Sequence, residues 1–243
     1  MGKLAEYRQI LKKLDDWDQY ILAESRLPGP RANLELVEAV AAEGDINKFR
    51  RYLTYDANQA PYGSALEFLP VCGVVGLGRL LAEGKTELLA VLRSYASDPR
   101  WRVREGVTIA LQKFGDVNMD GLLREMEEWI CGNLLEERAA AAALAEPRLL
   151  RNPENIRRVL AMLDQITEGL KNEENRKSEE FRVLCKALGY CWSVAVVADP
   201  HSGKKLMEKW LASQDRDVRW VMRENLKKNR LRKLDPAWVE KWD

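Results

Sequence analysis

The sequence predicts an all-α fold built from short antiparallel helix pairs. Three observations carry this. Apolar residues recur at helical spacing along nearly the whole chain. Alternating β-branched runs bounded by hairpin turns are nearly absent. One pattern, D-x-R-W-x-x-R-E, is spelled twice, as DPRWRVRE from Asp98 and DVRWVMRE from Asp217. A pair of short amphipathic helices cannot bury its apolar face alone, so each pair must stack on its neighbours.

The elements follow in order. Residues 1–31 are expected to cap one end of the stack; their start, MGKLAEYRQILKKLDDWD, is charged throughout and lacks the apolar core of a signal peptide. DDWDQY sets Asp15, Asp16 and Asp18 on that cap, where a helix start welcomes acids. Asn33 caps a helix ending at Gly44, a position that suits a left-handed residue, and Asp45 caps the next through about Tyr55. Ala65 to Glu83 reads as a long apolar helix closed by Gly84, with a kink or break expected at Pro70. Glu87 to Ala96 follows, then Pro99 to Phe114 after an Asp98 cap, stopped by Gly115. Met119 to Cys131 pairs with Leu134 to Ala145, the latter rich in alanine and halted before Pro147. Pro153 to Leu170 and Ser178 to Val197 pair across KNEENRKSEE, read as a polar, mobile loop. Lys204 to Ala212, Val218 to Asn229 and the short DPAWVEKW complete the series.

Composition bounds the function classes. Lys plus Arg (39) nearly balances Asp plus Glu (38), so no global field draws the chain to nucleic acid or membrane. Residues 204–233 break that balance, with eleven Lys/Arg against Glu208, Asp215, Asp217 and Glu224, a local net of +7. Cys72, Cys131, Cys185 and Cys191 lie without C-x-x-C spacing in apolar stretches and are expected to be buried free thiols of a cytoplasmic protein. The most apolar run, Ala187 to Ala198, is about twelve residues, too short to span a bilayer. No membrane association is expected. His201 is the only histidine, in the polar turn DPHSGKK, and offers no metal site. The glycines of GVVGLGRLL follow no strand, so they are read as helix-crossing points, and no cofactor is expected.

An Asp at a turn, followed by an Arg six residues on within a helix, resembles the HEAT-repeat pattern. Asp98 with Arg104 and Asp217 with Arg223 match those positions from about Asn33 onward. The resemblance implies one elongated domain over residues 1–243. It would be an α-solenoid of about five to six HEAT-like antiparallel helix pairs, right-handed, with 204–243 as its basic terminal repeat. It also implies a ladder in which the Asp caps and the Arg reaches an adjacent unit. A narrower resemblance joins WVMRENLKKN to HEAT-like DNA glycosylases that excise alkylated purines, in which a Trp at the position of Trp220 contacts the lesion. Those enzymes also carry a Trp-Trp-Asp cluster, for which ALEFLPVCGVVGLGRLL offers only Glu67.

On the C-terminal helix, Arg216, Arg219, Arg223, Lys227 and Arg230 share an arc of about 80°, with Trp220 at its edge. A basic stripe beside an indole can grip phosphates and stack on a base; it can equally be a solvated face. In the first copy Arg100, Trp101 and Arg104 recur, but Ser97, Thr108 and Leu111 replace the remaining cations. What both copies share is what capping and packing select, so Trp101 and Trp220 are expected to wedge between repeats. Glu105 and Glu224 follow an Arg in each copy and could face a groove, but no nucleophile or second acid accompanies them. The expectation is therefore a non-catalytic scaffold whose concave face holds a protein partner. The alternative is a DNA-binding protein of the alkylation-repair type, extending to a degenerate or divergent DNA glycosylase, using Trp220, Arg219, Arg223 and Lys227.

Overall fold

A computed structural model describes residues 2–242 and is helical throughout, with fifteen α-helices, three short 3₁₀ turns and no strand among the described residues. The chain gathers into two compact units, residues 1–117 and 118–243.

The first unit holds α1 (Lys3–Leu11), α2 (Asp18–Glu24), α3 (Leu34–Glu43), α4 (Ile46–Leu53), α5 (Phe68–Ala82), α6 (Leu89–Tyr95) and α7 (Trp101–Val117). Alternate helices pack: α1 on α3, α3 on α5, and α5 on α7, with α4 and α6 against α5 and α7 respectively. The asparagine and aspartate caps form as expected, Asn33 accepting from Leu36 N–H and Asp45 from Lys48 N–H. Each such cap contributes about 1 kcal/mol. Asp18 does more than suit a helix start: it takes both terminal nitrogens of Arg51, each at 2.6 Å, and the Tyr52 hydroxyl at 3.0 Å.

Three boundaries differ from the sequence reading. Pro70 kinks nothing, because a 3₁₀ turn (Ala65–Glu67) ends just before α5 and leaves Pro70 in the first helical turn, where its missing N–H costs no bond. Gly115 does not stop α7, which runs on to Val117 until Asn118 caps the next helix. Gly44 is extended (φ −78°, ψ 165°), not left-handed; glycine is needed because a Cβ there would lie 2.5 Å from the Phe49 ring. Gly84 is left-handed at φ +97°, the conformation that ends a helix.

The glycines of α5 are contact points, as the sequence implies. A Cβ on Gly76 would meet the Phe49 ring at 2.4 Å, and one on Gly78 would meet the Ala110 Cα of α7 at 2.4 Å. Glu67 is fully buried, receiving Arg102 Nη1 at 2.9 Å and Gly63 N–H at 2.8 Å, a structural ion pair beneath α7.

The second unit holds α8 (Met119–Trp129), α9 (Leu134–Leu144), α10 (Pro153–Gly169), α11 (Glu179–Ala198), α12 (Pro200–Leu211), α13 (Arg216–Leu226), α14 (Asn229–Leu234) and α15 (Pro236–Trp242). Two rows form within it. α9, α11 and α13 pack side by side, and α8, α10 and α12 make the second row, with α11 also against α10 and α12. Asn133, Asn152, Ser178 and Asp199 cap α9, α10, α11 and α12. α12 therefore starts at Pro200 rather than Lys204, and His201 sits in its first turn rather than in a free turn.

Residues 65–82 and 179–198 are each long and apolar enough to cross a membrane by composition, the second longer than the apolar run alone suggests. Both spend that surface on packing, being 78 % and 61 % buried within the fold. Cys72, Cys185 and Cys191 are buried free thiols, whereas Cys131 is exposed one turn past α8.

Candidate anion-binding cleft

The cleft lies in the second unit, between the first halves of α11 and α13. Two devices bring these helices together. Gly189 lets α13 approach so closely that a Cβ there would sit 3.1 Å from Glu224 Cβ. Asn225, fully buried, then clips the pair: its amide donates to Leu188 O and Val221 O at 2.8 Å and accepts from Ser193 N–H at 2.8 Å. A buried amide with its hydrogen bonds satisfied specifies one register.

Along α13, Arg216, Arg219 and Arg223 fall on one side at spacings of three and four; along α11, Arg182 and Lys186 do the same. These five, with Arg176, Lys177, Phe181, Cys185, Asp217 and Trp220, line a cleft of about 580 Å³. Seven cations thus face one carboxylate.

Arg176 accounts for that carboxylate and its neighbour. Its Nη1 donates to Asp215 Oδ2 at 2.7 Å and to Asp217 Oδ2 at 3.1 Å, and its Nη2 to Lys171 O at 2.8 Å. Burial pushes the Asp215 carboxyl up, but the Val218 N–H bond and the Arg176 bond outweigh it and hold the group below its usual range. The same bond to Asp215 holds Arg176 protonated more firmly than usual. The acids are therefore neutralised internally. Lys177, Arg182, Lys186, Arg216, Arg219 and Arg223 are exposed and have no ion-pair or side-chain hydrogen-bond partner among the described residues. Trp220 is 44 % exposed at the cleft, its indole N–H without a hydrogen-bond partner among the described residues. Six uncompensated cations around one concavity focus a positive potential, and an open indole supplies a stacking face. Cys185 is no nucleophile here, since burial first and Asp217 second push its thiol up to about 12.

The sequence-derived candidates divide. Arg216, Arg219, Trp220 and Arg223 converge on the cleft. Lys227 and Arg230 do not line it, because α13 stops at Leu226, and Glu224, within α13, instead packs its Cβ over Gly189 of α11. Lys227 is the C-cap and binds Glu224 at 2.5 Å. Lys228 is extended, so Arg230 lies on α14, its guanidinium 4.5 Å from the Tyr190 ring. Beyond that turn Leu231 is buried on α14, which packs against α11. The five-residue basic stripe is thus a three-residue one. The missing charge comes from Arg176, Lys177, Arg182 and Lys186, in segments read from sequence as a mobile loop and a core helix. The i, i+4 spacing of Arg182 and Lys186 was the available signal.

The secondary candidates lie elsewhere. Trp101 is 42 % exposed and Trp220 is 44 %, so neither is a buried wedge. Arg104 is buried and turns back on its own turn, donating to Asp98 O at 2.6 Å and Pro99 O at 3.1 Å. Asp98 pairs with Arg100, and Asp217 with Arg176, while Arg223 has no partner among the described residues. Glu105 and Trp101 line a separate pocket in the first unit. No group of three His, Cys, Asp or Glu side chains able to hold a metal gathers among the described residues.

No protein-family model matches this sequence, and no curated protein matches it. Two solved crystal structures of engineered proteins from a structural genomics consortium align along most of the chain. One is 16% identical with a TM-score of 0.39, covering 93% of this chain and 98% of that one. The other is 14% identical with a TM-score of 0.39, covering 100% of this chain and 98% of that one. At that TM-score the likeness carries no argument about fold or function.

Proposed function

We propose that this chain is a non-catalytic, HEAT-like α-solenoid binding module whose second unit holds a nucleic-acid backbone in the cleft between α11 and α13. The solenoid reading is supported by alternation: within the second unit, odd and even helices pack in two separate rows, as stacked helix pairs do. The observation that carries the binding reading is the six unpaired cations grouped around the exposed Trp220. A protein scaffold that merely solvates its surface has no need to hold Asp215 and Asp217 on Arg176 and leave the other six lining cations free. Phosphates lining up along the cleft would release counterions, and Trp220 would stack on a base or sugar face.

The test is a fluorescence-anisotropy titration of a labelled duplex and a labelled single strand against the full chain across a salt series. Binding that weakens steeply with salt is expected. Arg219→Ala with Arg223→Ala removes two phosphate contacts and lowers the log–log salt slope by about 1.8 on duplex. No binding of either strand form at low salt, or a slope unmoved by that double variant, overturns the reading. Capture of an acidic protein by the same cleft in place of nucleic acid would return the scaffold reading to first place.

A further inference from the structure

The cleft between α11 and α13 is not a uniformly charged trough. Phe181 and Cys185 line it and are buried, so its floor carries no charge. The six free cations stand above them, Lys177, Arg182 and Lys186 on the α11 side and Arg216, Arg219 and Arg223 on the α13 side, all exposed. Charge on the rim with apolar surface beneath suits a ligand that keeps its phosphates outside and sends a flat ring in. A single strand offers both. A duplex offers phosphates alone, because its bases are paired and stacked and turn only their edges to the grooves. We propose, resting on the nucleic-acid reading of this cleft, that it takes a single strand: one unpaired base enters beside Trp220 while the flanking phosphates stay on the rim.

Trp220 is the platform. It is exposed amid six free cations, yet among the described residues no cation lies over its ring and no group takes its indole N–H. Its sequence counterpart is engaged: Trp101 donates its N–H to the Tyr62 hydroxyl at 3.1 Å and has the Arg102 guanidinium 4.8 Å from its ring. Trp220 is nonetheless held. A Cβ at Gly189 would lie 3.9 Å from Trp220 Cζ3, so one edge of the indole rests over that glycine of α11. A ring steadied along one edge and open elsewhere stacks on a base at little ordering cost.

Size favours the same ligand. The cleft measures about 580 Å³, in the class that encloses a drug-sized body, which suits a base with its sugar. Helices in contact lie about 8–10 Å apart axis to axis, less than the roughly 12 Å of the duplex major groove alone. A duplex can therefore only bridge the lips, meeting the rim cations without reaching Phe181. It gains charge contacts and no stacking.

The probes are an oligothymidylate and an oligouridylate of about 12 nucleotides, within the usual span of single-strand sites, with an abasic deoxyribose-phosphate oligomer and a duplex of the same length. Each is labelled and titrated with the full chain by fluorescence anisotropy at low salt. The base-bearing strands are expected to bind about tenfold more tightly than the abasic oligomer or the duplex, and the tighter of the two identifies the sugar. Trp220→Ala weakens the base-bearing strands about tenfold and leaves the abasic oligomer unchanged, while Trp220→Phe restores most of the loss. Arg219→Ala with Arg223→Ala weakens every probe. Circular dichroism verifies that each variant folds. A duplex or abasic oligomer bound as tightly as the base-bearing strands, or an equal loss for abasic and base-bearing strands in Trp220→Ala, overturns the single-strand proposal and leaves the charged cleft in place. No binding of any probe overturns the nucleic-acid reading itself, so the two failures are distinguishable.

Discussion

The two copies of D-x-R-W-x-x-R-E are alike in letters and opposite in use. In the first, Arg100 is 2 % exposed, grips Asp98 through two nitrogens and donates to Tyr55 O, Asp56 O and Ala60 O; Arg104 is spent on carbonyls of its own turn. In the second, Arg219 and Arg223 are exposed and partnerless among the described residues. The registers differ too: Asp98 precedes α7, whereas Asp217 lies inside the first turn of α13, whose cap is Asp215. A third party decides each role. The segment after α4 supplies carbonyls to the first copy, and Arg176 takes the acids of the second. The same letters build a structural clasp in one unit and a charged binding face in the other.

The largest test of this contrast is stability. Arg100→Ala leaves the buried Asp98 carboxylate unpaired and is expected to cost about 3–5 kcal/mol. The sequence-equivalent Arg219→Ala should stay within about 0.5 kcal/mol. Urea denaturation of both variants decides, and equal losses would erase the distinction.

The helix crossings that carry the two copies differ as well. Gly78→Ala drives a Cβ into the backbone at Ala110, 2.4 Å away, and is expected to cost about 1–3 kcal/mol. Gly189→Ala has one tight contact, Glu224 Cβ at 3.1 Å, with Glu224 Cγ and Trp220 Cζ3 at ordinary van der Waals distance, and the better helix propensity of alanine, about 1 kcal/mol, offsets the squeeze. Thermal unfolding should therefore move strongly for the first and little for the second.

A smaller effect tests the face contributed by α11. Arg182→Ala with Lys186→Ala should weaken nucleic-acid binding about tenfold, or about 1.4 kcal/mol, as the α13 pair does. Lys227→Ala should leave affinity nearly unchanged, because Lys227 is engaged by Glu224. The reverse order in an anisotropy titration would restore a single-helix stripe as the binding face.

These residues also mark what was legible in advance. The caps at Asn33 and Asp45 could be read because a cap is written within four residues of chain. The close packing at Gly76 and Gly78 could be read because glycine deep in an apolar helix has few other uses. The cleft could be read only by half. Arg216, Arg219, Trp220 and Arg223 share one helix, and periodicity groups them. Arg176 meets Asp215 across 39 residues, and Arg182 faces α13 only because Gly189 and Asn225 set the crossing. The end of α13 is not legible locally, because Lys227 and Lys228 favour helix, while Leu231 is buried on α14, which packs against α11.

The last contrast is between two carboxylates of the second unit and concerns pH. Glu137 is pushed up to about 7, by burial first and by Glu173 second, and its carboxyl has no ion pair or hydrogen bond among the described residues. Its folded form holds a proton more tightly than the unfolded chain does. The stability it contributes is therefore fully present below its ordinary value of 4.5 and lost as pH rises through about 7. Asp215 runs the other way. Its folded value is lowered, so its contribution is present above the ordinary carboxylate range and lost as pH falls through the depressed value. The two groups therefore pull the stability of this unit in opposite directions as pH changes. Glu137→Gln should raise the melting temperature at pH 8 and remove the decline between pH 5 and pH 8, flanking the value of about 7. Asp215→Asn should lower it at neutral pH, where both the α13 cap and the Arg176 bond weaken. A decline that persists in Glu137→Gln would assign the neutral-pH titration to another group.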